Sequence, residues 1–194
     1  MKAWQLHLMA AVVATTTLNG CVGLLLGGTA LGVGVAHDRR TSGTVVDDQT
    51  VEVKLDGALN QSLAPDNHVN ITSYNGVVLL SGEVGSEEIR QQAEMIARSI
   101  EPPVREVHNE LAVAAPSAFS SRSNDTFLTT KVKAALITIH HIPGFDPTRV
   151  KVVTERGIVY LMGLVSPEEA DAAANAASQV SGVSQVVTLF EQIR

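Results

Sequence analysis

The chain has 194 residues, a formal net charge of −6 and a single cysteine at position 21. This length suits one domain or two small ones, and a lone cysteine excludes an internal disulfide, so each core must be held by burial of apolar side chains. The acidic balance argues against nucleic acid as a partner, because binding to its phosphates requires clustered bases.

The N-terminus has the pattern of a secretory signal peptide. Lys2 is followed by an uncharged, largely apolar stretch that is too short to span a bilayer as a helix. This stretch ends at Leu18-Asn19-Gly20-Cys21, which resembles the lipobox of bacterial lipoproteins. The resemblance implies cleavage after Gly20 and acylation of Cys21, typically with palmitate, through a thioether that serine cannot form. We therefore predict a signal peptide over residues 1–20 and a lipidated Cys21.

Residues 21–44 contain an apolar, Gly-rich stretch that ends in charged residues. The glycines match no phosphate-binding loop, because no Lys-Ser or Lys-Thr pair follows them and no strand precedes them. We expect the lipidated cysteine and a flexible tether over this range. In Gram-negative lipoproteins an Asp directly after the lipidated cysteine usually retains the protein at the inner membrane. Val22 occupies that position, so we expect a lipid-anchored protein of the outer membrane that faces the periplasm.

An internal repeat organises the remainder of the chain. Residues 70–84 align with residues 151–165, and each segment predicts two strands joined by a tight turn that contains glycine. Asn75-Gly76 strongly predicts a two-residue hairpin turn, because a primed turn needs a positive φ at both positions. Arg156-Gly157 predicts the same turn less strongly, since arginine adopts a positive φ less readily than asparagine does.

Helical patterns flank both hairpins. Asp48 and Asp125 precede apolar residues at helical spacing, and both are predicted as helix N-caps. Further helices are predicted over 86–100 and 167–180, the second opening with a capping box at Ser166. Each repeat closes with a strand, over 104–113 and 183–193. The predicted core faces of the first helices are Val51, Leu55, Ala58 and Leu59 in one copy and Leu128, Val132, Ala135 and Leu136 in the other.

These elements predict an α+β fold with two tandem domains of one architecture. Each domain has the order α-β-β-α-β, with two helices packed on a three-stranded mixed sheet. We place the domains at residues 45–115 and 124–194, joined by a Pro/Ser-rich linker over residues 116–123.

The repeated units resemble BON domains. The resemblance rests on the order of elements, the Gly-containing hairpins and a closing strand with Val104, Val107 and Asn109, a pattern from which the second copy departs at Thr188. With the lipobox, two such units resemble the dual-BON outer-membrane lipoproteins associated with cell division and envelope integrity. That resemblance implies a non-enzymatic protein, without a cofactor, that binds anionic phospholipid chiefly through the first helix of its second BON domain.

Charge divides the two domains. Residues 45–115 contain twelve acids and four bases, a net charge of −8, whereas residues 122–194 contain seven of each sign. Anionic headgroups repel an acidic domain, but a neutral domain can approach them where its bases cluster. The second domain is therefore the better candidate for contact with a membrane surface.

The helix that includes Asp125 has a second face away from its predicted core. At 100° per residue, Phe127 lies well off the core face, and Lys131 and Lys133 flank the apolar strip on opposite sides. Phenylalanine can enter the headgroup boundary while lysines contact phosphates. The predicted phospholipid-binding residues are Phe127, Thr130, Lys131, Lys133, Ala134 and Ile137.

Two alternatives remain open. Phe127 could instead pack against the linker or the first domain, with the lysines serving only solubility. The protein could also be an adaptor that uses its acidic first domain to bind a basic envelope protein. Catalysis is not expected, because no nucleophile elbow or paired-histidine motif is present, and His140-His141 has no neighbouring metal ligand at suitable spacing. Tyr74 and Tyr160 are interpreted as packing residues of the hairpins.

Overall fold

The computed structural model describes residues 38–193. The predicted signal peptide, Cys21 and most of the predicted tether therefore lie outside the described residues. The chain from Arg39 onward forms one compact unit, which contains both sequence repeats.

The first repeat folds as a helix–hairpin–helix–strand unit. Its elements are α1 (Ser42–Ser62), β1 (His68–Tyr74), β2 (Val77–Val84), α2 (Glu87–Arg98) and β3 (Glu106–Val113). The sheet has the order β1-β2-β3, in which β2 pairs antiparallel with β1 and parallel with β3.

The second repeat has the same architecture. Its elements are α3 (Phe119–Ile137), a short 3₁₀ helix (Pro147–Arg149), β4 (Lys151–Glu155), β5 (Ile158–Val165), α4 (Pro167–Ser178) and β6 (Gln185–Gln192). The sheet order is β4-β5-β6, antiparallel and then parallel. The prediction of an α+β fold, with two helices on a three-stranded mixed sheet in each repeat, is confirmed.

Both hairpin turns have the predicted backbone conformation. Asn75 and Gly76 have φ values of 53° and 74°, and Arg156 and Gly157 have nearly the same values, 54° and 74°. A positive φ at both central positions is the signature of a type I′ turn. The capping box at Ser166 is also present, with reciprocal bonds between Ser166 and Glu169.

The predicted helix starts are wrong. The N-cap of α1 is Thr41, and α3 begins at Phe119 without a side-chain cap. Asp48 and Asp125 lie inside their helices, buried, where each carboxylate accepts hydrogen bonds from two backbone N–H groups of the hairpin turn of its own domain, at 2.7–3.0 Å. Residues 42–44 of the predicted tether and residues 119–123 of the predicted linker are consequently helical.

Both faces of each sheet are packed against other parts of the protein. One face packs on the helices of its own domain, around Leu55 and Leu80 in the first domain and Val132 and Leu161 in the second. The other faces of the two sheets pack against each other. The buried residues of this interdomain cluster are Tyr74, Leu79, Tyr160, Met162 and Leu164. The tyrosines are thus packing residues, as predicted, and the compact unit has a helix–sheet–sheet–helix arrangement.

Candidate functional site

Helix α3 presents one buried and one exposed face, because its apolar residues follow two separate helical stripes. Leu128, Val132 and Leu136 are buried, as predicted. Phe127 is 61% exposed and Ile137 is 62% exposed, and Thr130 and Ala134 are also exposed. Since most of Phe127 faces solvent, the alternative in which it packs against the linker or the first domain is wrong.

The structure places the two predicted lysines in different surroundings. The Nζ atom of Lys131 donates to the backbone carbonyl of Ser181 and lies 5.6 Å from the centroid of the Phe127 ring. Lys131 is therefore held between the loop after α4 and the exposed aromatic ring. Lys133 is exposed on the other side of α3, where it lines a groove. The two lysines thus flank the exposed strip, as the helical spacing predicts.

The groove beside Lys133 has a volume of about 490 Å³ and lies where the two domains meet. Three cationic side chains line it, together with apolar atoms of α3 and β4. The Nη1 atom of Arg40 donates to Asp48 at 2.8 Å, and its guanidinium lies 3.9 Å from the Tyr74 ring centroid. Other lining residues are Lys133, Ile137, Lys151 and Val152.

The sequence analysis does not identify two further residues, the exposed Phe119 and the groove-lining Arg40. Phe119, the first residue of α3, is 81% exposed and was assigned to the linker. Arg40 was assigned to the tether, and nothing in the repeat pattern indicated that it would reach a groove of the second domain. The composition of the 115–123 segment, rich in proline and serine, hid the helical start of α3.

The corresponding helix of the first domain differs from α3. Helix α1 exposes Val46 and Val53, the latter at 75%, but no aromatic side chain. Asp56 is exposed at the position that corresponds to Lys133. The Nζ atom of Lys54 donates to the carbonyl of Glu101 within the same domain. Helix α1 is thus weakly apolar and acidic where α3 is aromatic and basic.

Polar contacts at the edges of the interdomain cluster hold the domains together. Asn75 of the first domain donates to Glu191 at 2.7 Å, and Arg105 forms an ion pair with the same carboxylate. The hydrogen bond from Arg105 and that from Asn75 lower the pKa of Glu191, although partial burial opposes this effect. Lys151 of the second domain pairs with Glu52 at 3.1 Å. Within residues 38–193, no helix is long and apolar enough to cross a bilayer.

Comparisons with known proteins agree with the fold. The BON domain model matches residues 47–115 and 124–193. The chain is 40% identical over 182 residues to the outer membrane lipoprotein DolP of Haemophilus influenzae, covering 93% of this chain and 92% of that protein. It is 33% identical over 159 residues to the 21 kDa hemolysin of Actinobacillus pleuropneumoniae, covering 81% and 80% of the two chains. It is also 30% identical over 148 residues to the osmotically-inducible protein Y of Escherichia coli, covering 74% and 72%.

The family matches span most of the described chain and coincide with the two structural repeats. The relatives are matched over most of their own length. The resemblance found in the sequence is therefore confirmed, and the chain belongs to the BON domain family, of which it carries two copies in tandem.

Proposed function

We propose that this chain is a lipid-anchored, non-catalytic protein on the periplasmic side of the outer membrane that binds anionic phospholipid through α3. It supports the integrity of that membrane, including at the division site. The lipobox at Cys21 and the name of the Haemophilus relative, an outer membrane lipoprotein, support the location. Replacing Cys21 with serine should block acylation, and conversion of the variant into acylated mature protein would contradict the anchoring part of the proposal.

The observation that carries the lipid-binding part is the exposed aromatic strip of α3. Large apolar side chains on a surface mark sites of contact when they are grouped and bordered by polar residues. Phe127 and Ile137 are both exposed on α3, with Lys131 and Lys133 on the two sides of the helix face between them. The contact of Lys131 with the Phe127 ring allows the ammonium group to stay near headgroup phosphates while the ring enters the acyl boundary.

The groove beside Lys133 adds a second element of recognition. Arg40 and Lys151 already pair with acids of the first domain, at 2.8 and 3.1 Å, so they attract a phosphate less strongly than unpaired cations do. Lys133 is the most exposed of the three and lies next to Ile137. We therefore assign the main headgroup contact to Lys133 and the apolar contact to Phe127, with Phe119 as a further exposed aromatic on α3.

A vesicle co-sedimentation experiment tests this function. Unlipidated protein comprising residues 39–194, the compact unit that contains both cores, is mixed with anionic or zwitterionic vesicles. We expect binding to the anionic vesicles and much weaker binding to the zwitterionic ones. Equal or absent binding to both would refute phospholipid recognition.

An adaptor that binds a basic envelope protein is the second candidate. It is favoured by the net charge of −8 over residues 45–115 and by the exposed Val46 and Val53 beside acidic side chains of α1. If anionic vesicles are not bound, this surface becomes the leading site of interaction.

A further inference from the structure

Three potential metal ligands converge in the interface between the two sheets. His68 is the first residue of β1, and Glu83 lies directly opposite it on β2. Glu155 is the last residue of β4, in the second domain. The imidazole nitrogen and one carboxylate oxygen from each glutamate all lie within 4.8 Å of one another. Among residues 38–193, these three side chains lie close enough together to hold a metal ion.

The strand pattern explains why these side chains meet. Alternate residues of a strand point to the same face, so Glu83 shares the face of β2 with Leu79, which packs in the interdomain cluster. Ser81 lies between them on that face, and its hydroxyl is buried without a hydrogen-bond partner. Gly82 allows β1 and β2 to approach closely here, since a Cβ at this position would lie 2.1 Å from the His68 carbonyl oxygen.

The two carboxylates are incompletely satisfied. Glu83 is fully buried and Glu155 is 4% exposed, and the Oε1 atom of each lacks a hydrogen-bond donor. The Oε2 atom of Glu83 accepts from His68 at 3.0 Å and from the Ser117 N–H at 3.2 Å, and that of Glu155 accepts from Asn70 at 2.6 Å. A buried oxygen left without a partner is costly, and each such oxygen in a native structure calls for an explanation.

We propose that His68, Glu83 and Glu155 form a binding site for a divalent transition-metal ion, with Zn²⁺ as the best match. One imidazole nitrogen and two carboxylate oxygens are a ligand set that zinc accepts, at distances of about 2.0–2.2 Å. The nitrogen ligand disfavours Mg²⁺ and Ca²⁺, which prefer oxygen. The fourth position of a tetrahedral site is open to a water molecule.

Charge also favours a cation at this position. Glu83 and Glu155 bring two acidic groups together, and each residue is at most 4% exposed. Besides the imidazole of His68, Arg156 faces this pair, and its Nη1 atom lies 3.6 Å from Oε1 of Glu83. Its side chain is 44% exposed and can turn towards solvent when a metal ion neutralises the two carboxylates.

A metal ion at this position would bridge the domains. His68 and Glu83 belong to the first domain and Glu155 to the second, so the bound ion would fix how the two sheets pack. The site lies on the interdomain face, where His68 and Glu155 line a pocket together with Asp125 and Thr129 of α3.

Zinc titration of the full-length protein in detergent tests the proposal. After treatment with a chelator and its removal, we expect calorimetric titration to show one Zn²⁺ per chain, and added Zn²⁺ to raise the midpoint of thermal unfolding. Co²⁺ should give the intense visible bands of a tetrahedral site. His68→Gln and Glu155→Gln should each weaken Zn²⁺ binding by about 10-fold or more, since even residues that merely support the ligands contribute 10–100-fold.

Two comparisons make the result interpretable. His141→Gln removes an exposed histidine outside the cluster and should bind Zn²⁺ like the unmodified chain. Glu155→Gln removes a buried charge and keeps an acceptor for Asn70, so this variant should fold without metal yet lose the zinc-induced rise in midpoint. If His68→Gln fails to fold, the Co²⁺ spectrum of the unmodified chain still decides, because the absence of tetrahedral bands overturns the proposal. Wild-type affinity in both ligand variants, or binding lost only in His141→Gln, overturns it as well.

Discussion

Replacing Phe127 with alanine tests the membrane contact most directly. The side chain is 61% exposed in the folded protein, so insertion into a bilayer buries about three-fifths of its surface. Because complete burial of a phenylalanine is worth about 1.5–3 kcal/mol, this fraction corresponds to about 1–2 kcal/mol, or a factor of about 5–30 in vesicle affinity. The substitution leaves the buried Leu128–Val132–Leu136 face intact, so thermal unfolding should be unchanged.

The assay is co-sedimentation of residues 39–194 with anionic vesicles over a range of salt concentrations. Salt screens the attraction between the lysines and anionic headgroups but does not screen apolar burial. The loss of vesicle affinity in the Phe127→Ala variant should therefore persist at high ionic strength. Val53→Ala is the matched control, because Val53 is 75% exposed on the corresponding helix of the first domain. A folded Phe127→Ala variant with unchanged affinity, or an equal loss in the control, would show that α3 does not enter the bilayer.

Three further outcomes follow from the structure. Lys131→Glu combined with Lys133→Glu should abolish the preference for anionic over zwitterionic vesicles, since each lysine contributes about 1 kcal/mol of binding free energy near an anionic surface. A preference that is retained in co-sedimentation would contradict the proposed charge contact. Asp125→Ala should lower the free energy of unfolding by about 2–4 kcal/mol in urea denaturation, because two partly buried N–H groups of the hairpin turn lose a charged acceptor. An unchanged urea midpoint would show that the turn is stable without this carboxylate. The pKa of Glu191 is lowered in the folded protein, so its contribution to stability is present above its ordinary value of 4.5 and is lost as the pH falls through the lowered value. At pH 7, the midpoint of thermal unfolding of Glu191→Gln and that of Arg105→Ala should therefore be lower than that of the unmodified chain. The difference between Glu191→Gln and the unmodified chain should disappear under acid conditions. A difference that stays constant with pH would refute the role assigned to Glu191.

The elements set by local chemistry were predictable from the sequence. The hairpin turns depend on two residues each, and the φ values of Asn75 and Arg156 agree with the expected turn. The two faces of α3 follow from helical period, which fixes the angle between Phe127 and the core residues whatever surrounds the helix. Five of the six predicted site residues on α3 are consequently exposed, and Lys131 is half-buried.

Contacts that depend on the tertiary structure were not predictable. Asp48 and Asp125 have the residue type and position of N-caps. Their carboxylate oxygens nevertheless accept hydrogen bonds from N–H groups of hairpin turns more than 25 residues further along the chain. The helices therefore begin earlier than the local rule indicates. The packing of sheet on sheet was also missed, although β2 and β5 are buried on both faces, a feature that near-continuous apolar strands can indicate. Arg40 lies immediately before the N-cap of α1, and its place in the groove depends on the tertiary structure.

The sheet-on-sheet contact makes the two domains poor candidates for study in isolation. A second domain cut away from the first would display Tyr160, Met162 and Leu164 on an open face that is covered in the intact protein. Such a fragment could adhere to vesicles, or to other copies of itself, through this artificial surface and not through α3. Dissection of this protein into halves therefore risks creating an affinity that the whole molecule does not have, and single substitutions on the surface of the intact pair are the safer way to locate its binding sites.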